Sequence, residues 1–270
     1  MRHPVLPRWI IDRAPALLYP AAGLATLLLA WHLVTSFALV PSYLLPAPLK
    51  VAAAMLASAS DGTLLRHLSP TLQATVTGYA IGSLAALLLA ALVAEFKMVE
   101  RFVLLHLIAI QSIPKVSIAP LVFLWAGFDL QGKVILVSLI CFFPIFANAL
   151  AGFRSADANL IDLLRAAGAS RAHVFLQVKL PSAASQLFAG LEVAVAFALI
   201  GCVVMEFVGA TRGMGFLIQD SSNTFDLPMT FAAVVTLGLI GVAGNALVRL
   251  ARARILFWEQ GSKTGALRDA

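Results

Sequence analysis

The chain has 270 residues, of which 61% are hydrophobic and only 12% charged, and its mean hydropathy is +0.94. Soluble domains carry about 25% charged residues, so this composition excludes a water-soluble fold and makes lipid the natural solvent. The net charge of +6 would suit a nucleic-acid binder, but the basic residues sit between and beyond the apolar runs, where membrane topology places them.

Six apolar runs follow in chain order: 14–40, 72–94, 102–125, 134–153, 187–208 and 229–250. Each is about 20 residues or longer, enough for a helix to cross a hydrocarbon core of about 30 Å. The expected fold is therefore an all-α integral membrane protein of about six transmembrane helices. The first run follows Arg2, Arg8 and Arg13, but it is too long for an ordinary signal-peptide core and no clear A-x-A cleavage site adjoins its end, so it is read as a retained helix. Segment 41–70 holds an apolar stretch, 49–56, too short to span and suited to lie along the interface. The second run carries Gly78 and Gly82 as a GxxxG pair, and the sixth carries Gly238, Gly241 and Gly244; both are stripes for close helix packing, within one subunit or between two.

The third run holds Lys115 between Pro114 and Pro120, which predicts a broken or kinked helix. A cation there must lie beside protein or water, so Lys115 either lines a pathway attractive to anions, or snorkels or joins a buried ion pair. In the fifth run, Glu192 is read as pairing with Lys179 or facing a pathway. Glu206 either lines an outer gate or anchors the interface by pairing with Arg212. Segment 209–228 is an external loop or short helix. Cys141 and Cys202 lie in apolar runs without metal spacing, and the five histidines form no HExxH or cluster, so a metal or catalytic role is not expected.

Six spans put both termini on one side. With that side cytoplasmic, 14 of the 19 Lys and Arg residues lie inside. Lys50, Arg66, Lys133 and Arg212 lie outside, and Lys115 lies within a span. The positive-inside rule supports this orientation.

The inside segment 154–181 is far longer than the 2–8 residues that usually join two helices. It divides into two short amphipathic helices. Asp157 or Asn159 caps the first, which carries Leu160, Leu163 and Leu164. Gly168 supplies a C′ residue with positive φ, Ser170 caps a second helix carrying Val174, Phe175 and Val178, and Pro181 ends or redirects it. The product is a helix–turn–helix elbow, suited to docking.

This segment resembles the signature of permease subunits of binding-protein-dependent ABC importers: E-A-A, three residues, Gly, nine residues, then I-x-L-P. Here the chain has Asp162-Leu163-Leu164, three residues, Gly168, nine residues, then Val178-Lys179-Leu180-Pro181. Asp replaces Glu and Leu-Leu replaces Ala-Ala, so the acid and the turn are kept and bulk is added. Residues 112–125, with Pro114, Lys115, Pro120 and Trp125, resemble the third-span motif of the nitrate, sulfonate, taurine and pyrimidine-precursor permeases. Glu206-Phe-Val-Gly-Ala followed by Gly213-Met-Gly215 resembles the end of span five in that group. The resemblance covers roughly residues 65–258 of a single permease domain.

The resemblance implies a type I importer permease of the bacterial inner membrane, not an enzyme. It implies a second permease subunit, taken as another copy of this chain, two ATP-binding subunits and an extracytoplasmic solute-binding protein. The elbow residues Asp162, Leu163, Leu164, Gly168, Ala169, Ser170, Arg171, Phe175, Val178, Leu180 and Pro181 would then meet the ATPase. No cofactor is expected on this chain, which lacks G-x-x-x-x-G-K-[ST]; ATP would be used by the partner. Expected cargo is a small anion such as a sulfonate, taurine or nitrate, or a pyrimidine-type precursor. A gradient-driven secondary transporter is the alternative; it would need coupling-ion ligands and usually an inverted repeat, neither of which is evident. An intramembrane enzyme would need acid pairs or a nucleophile–base set, also not found.

Overall fold

A computed structural model describes residues 8–127 and 129–257. Among them the regular structure is helical throughout: α1 (Arg8–Ser36), α2 (Pro48–Ser60), α3 (Thr63–Glu95), α4 (Lys97–Gln111), α5 (Ala119–Ala126), α6 (Leu130–Arg154), α7 (Ala158–Ala166), α8 (Arg171–Val174), α9 (Leu180–Gly209), α10 (Met214–Asn223) and α11 (Leu227–Ile255). Arg2, Lys263 and Arg268 of the charge count lie outside the described residues.

Four segments are long and apolar enough to cross a membrane: α3, α6, α11, and the continuous helix Arg171–Gly209 that contains α8 and α9. They coincide with the second, fourth, fifth and sixth apolar runs. The third run is α4 and α5, bent by 86° across the break, and counts as a fifth span if the pair is taken together. Pro114 caps the 3₁₀ turn Lys115–Ile118 and Pro120 sits in the first turn of α5, where its missing N–H costs nothing; the two prolines place the break as the sequence predicts. The first run falls largely in α1, a helix of 29 residues.

Helix α6 is the centre, packed between α3 and α9. Half of its apolar window is buried, against 17% for α11, which stands at the periphery. The close packing comes from small residues. A Cβ on Gly78 would lie 2.6 Å from the Val137 Cβ, and one on Gly82 would lie 2.6 Å from the Ser138 carbonyl oxygen, so the GxxxG pair seats α3 on α6 within one subunit. Ser138 Oγ adds a 3.0 Å hydrogen bond to the Gly78 carbonyl. Gly241 and Gly244 face Leu199 and Val195 of α9, while Gly238 meets nothing within 4 Å.

The short apolar stretch forms α2, which packs on α11 and α3. Segment 41–70 is not a loop to its end, because α3 begins at Thr63 and runs through Pro70. Asp61 accepts the Thr63 amide at 2.8 Å just before α3, and this hydrogen bond holds its carboxyl below the usual carboxylate range. Segment 209–228 contains the short helix α10, docked through the buried Met214, Leu217 and Ser221. The bundle therefore has an α10 end, with α2, α10 and the start of α6, and an α7 end, with the close of α3 and α6 and the start of α9.

Candidate functional site: the elbow and the polar clusters of the bundle

The elbow at the α7 end forms by local chemistry. Asp157 caps α7, its carboxylate accepting the Asn159 amide at 2.8 Å. Gly168 has φ +84°, its N–H donates to the Arg165 carbonyl, and the Ala169 N–H donates to the Leu164 carbonyl, both at 3.0 Å. That pair of bonds is a Schellman closure, which satisfies two carbonyls at the helix end. Ser170 then caps the next helix by accepting the His173 amide at 3.2 Å.

The second arm differs from expectation. It is not a separate helix ended by Pro181. Helix α8 passes through a π turn, Phe175–Lys179, directly into α9. Leu180 N–H reaches back to the Phe175 carbonyl, so the ladder shifts by one residue before Pro181, which then occupies the first turn of α9 without breaking it. Val174 and Val178 are buried and Phe175 packs on Phe153, ring centroids 5.1 Å apart. Ala169, Ser170 and Arg171 form the corner and its first helical residue, and Leu180 begins α9.

The first arm has the opposite character. No residue of α7 is buried, and Asp162 and Leu163 point outward, Leu163 at 65% exposure and Leu164 in part. The elbow thus extends a membrane helix and carries an uncovered arm that presents Asp162 and Leu163.

Two ion-pair assignments require correction. Lys179 does not bind Glu192; it donates to Glu95 Oε1 at 2.6 Å and to the Ala94 carbonyl at 3.2 Å, tying α9 to α3. Thirteen residues of helix separate Lys179 from Glu192, about 20 Å along the axis, too far for contact. Glu192 instead faces Arg249 and Arg252 of α11 at 3.5 and 3.6 Å.

Glu206 is fully buried rather than interfacial, and its partner is Lys133, not Arg212. Lys133 Nζ donates to Glu206 Oε1 at 2.8 Å and to the Arg212 carbonyl at 3.0 Å. Thr71 Oγ1 donates to the same carboxylate oxygen at 2.8 Å, and the Gly215 amide donates to Oε2 at 2.8 Å. The Met214 amide donates to Thr71 Oγ1 at 2.8 Å. Backbone groups of 212, 214 and 215 are therefore held by side chains of α3, α6 and α9. Gly213, at φ +135°, passes so close that a Cβ would lie 2.1 Å from Glu206 Oε1. Lys133, counted in the sequence as an ordinary outer charge, is 5% exposed and is the residue that reasoning missed.

Lys115 finds no carboxylate in the ion pairs of the described residues. Its ammonium lies 4.4 Å from the centroid of the Phe143 ring, a cation–π contact that neither expectation named. Among the described residues no group of three or more His, Cys, Asp or Glu could hold a metal.

Among the described residues a helical bundle with the short helix α2, a span broken between α4 and α5 and a two-armed elbow before α9 has the fold of a type I ABC importer permease. The inward-facing methionine transporter MetNI has a chain that superposes with a TM-score of 0.57 at 20% identity, covering 69% of this chain and 95% of that one. The sequence profile of the binding-protein-dependent transport system inner membrane component family matches residues 78–256, and the chain belongs to that family. It is 35% identical to the riboflavin transport permease RibX of Chloroflexus aurantiacus over 89% of this chain and 91% of that protein. It is 32% identical to the formylaminopyrimidine permease ThiX of Halalkalibacterium halodurans, over 81% and 87%. The putative aliphatic sulfonate permease SsuC of Bacillus subtilis is 26% identical, over 87% and 85%. The chain is thus a multi-pass inner-membrane transport permease, not an enzyme, and the gradient-driven alternative is set aside.

Proposed function

We propose that this permease couples solute movement to a separate ATPase through the elbow at its α7 end, which faces the cytoplasm together with both termini. The observation that carries the reading is the continuity of the second arm with a membrane span: Arg171–Gly209 is one helix of 39 residues. A push on the exposed α7 is passed through the Schellman corner into α9, and α9 lies against α6. ATP closure in the partner would thus move the central helices as a lever, with Asp162, Leu163 and Leu164 at its tip. The assembly is two copies of this chain, two ATPase subunits and a solute-binding protein on the opposite face. Lys115 and Glu206 act differently in it: Lys115, on the broken span, lines the pathway, and Glu206 fixes the outer gate.

The cargo is a planar nitrogen heterocycle containing a pyrimidine ring. The two relatives at 35% and 32% identity are named for riboflavin and formylaminopyrimidine, which share that ring, whereas the sulfonate permease stands at 26%. Two measurements test the reading. The purified chain hydrolyses no ATP alone, but in vesicles with its ATPase and binding protein it supports ATP-driven uptake that Gly168→Pro abolishes while leaving the protein inserted. The partner binding protein is stabilised on heating by a pyrimidine-containing ligand and not by taurine; the reverse would reject the cargo assignment.

A further inference from the structure

A groove of about 560 Å³ lies at the α7 end between α3 and the α8–π-turn junction. Its walls are Leu88, Leu92, Phe96, Phe175 and Leu176, and Arg171 stands at its mouth. Leu88, Leu92, Phe96 and Leu176 are all exposed, Leu88 and Leu176 by more than half. The groove's one carboxylate, Glu95, is neutralised by Lys179 at 2.6 Å. Arg171 is exposed and takes no part in the ion pairs among the described residues. The site therefore combines an apolar trough with one uncompensated cation at its end.

Its depth decides what fills it. Leu88 lies seven residues before the end of α3, so the trough extends about 10 Å back along an apolar span, into hydrocarbon rather than water. A cytosolic subunit cannot follow it there; an acyl chain can. We propose that this groove seats one anionic phospholipid, its acyl chain along Leu88, Leu92 and Leu176 and its phosphate on Arg171. Lys97, exposed next to Phe96, adds to the positive field at the headgroup level. The lipid would lie against the π turn, at the root of the elbow, so the occupant of the groove would bear on the position of the corner. The binding site itself does not depend on the ATPase reading.

The test uses the full-length purified chain in micelles containing equal amounts of phosphatidylglycerol and phosphatidylcholine, with retained lipid counted by native mass spectrometry. Phosphatidylglycerol should be retained in preference, and Arg171→Gln should lower its retention about fivefold, the effect of one cation near a lipid surface. Arg254→Gln, which removes a cation from another helix at the same end, should leave it unchanged. Ala91→Phe, which fills the groove floor, should release both lipids, with an unaltered elution profile as the folding control. No preference for the anionic lipid, retention undiminished in Arg171→Gln, or equal loss in Arg254→Gln would overturn the proposal. So would displacement by soluble glycerol phosphate, which would mark a free-phosphate site, or loss of the lipid when the ATPase docks.

Discussion

Removing Lys133 alone should damage the protein more than removing Lys133 and the Glu206 charge together. Glu206 has no exposed surface and Lys133 has 5%, so each charge depends on the other. Lys133→Met leaves a carboxylate in a low-dielectric site with Thr71 Oγ1, the Gly215 amide and the weak Cys202 thiol donor to stabilise it, at a cost of about 3–5 kcal/mol. Glu206→Gln leaves an ammonium with neutral acceptors, at a cost in the same range of about 3–5 kcal/mol. The double variant Lys133→Met/Glu206→Gln buries no charge. Its Gln can still donate or accept toward Thr71 and Gly215, and its main loss is the Arg212 carbonyl's partner, about 1–3 kcal/mol. The assay is thermal unfolding in detergent, read as monodisperse protein remaining after heating. For a chain of this size, about 3–5 kcal/mol corresponds to a drop on the order of 10 °C for each single variant. The double variant should recover at least half of it. Singles with unchanged melting, or a double variant whose loss is the sum of the two, would refute the claim that the pair is a buried, mutually compensating unit.

Four further outcomes follow from the same geometry. Gly82→Ala places a methyl 2.6 Å from the Ser138 carbonyl, so α3 and α6 must separate, with a loss of about 1–3 kcal/mol in the same melting assay. A Cβ on Gly168 would meet no atom within 4 Å, so the penalty of Gly168→Ala is backbone strain, about 1–2 kcal/mol at φ +84°; global melting should hold while uptake with the ATPase falls, and Gly168→Asn should retain more uptake than the Ala variant. Gly213→Ala would collide with the Glu206 carboxylate, and should raise the proteolytic sensitivity of segment 209–214. Asp157→Ala removes the α7 cap and costs about 1 kcal/mol locally, visible as faster amide exchange in Asn159–Ile161 and not in α6.

The fold was legible because its signals are local. Apolar length located the helices, Pro114 and Pro120 marked the break, and Gly168 between two capping side chains marked the corner. What escaped were contacts between elements distant in sequence. Lys133 and Glu206 were both visible, but as two separate polar residues. The pairing signal was nonetheless present: Lys133 lies in the first turn of α6 and Glu206 in the last turn of the antiparallel α9, so neighbouring helices put them at one depth. The same reasoning matches Glu95, at the end of α3, with Lys179, the residue just before α9, and excludes Glu192. The course of the second arm escaped for a different reason. Proline reads as a helix stop, and only a π turn, which has no residue signature, lets α8 run on into α9.

The most direct test of the lever is crosslinking from its tip. Cys141 and Cys202 are fully buried, so a single Leu163→Cys supplies the reactive thiol on the wild-type background. In membranes containing the complete transporter, a short bifunctional reagent should join Leu163→Cys to the ATPase subunit, with a yield that changes when ATP is trapped, and a membrane-impermeant maleimide added to the outer face should leave the thiol unlabelled. Labelling from outside, or no adduct with the ATPase in any nucleotide state, would contradict the account.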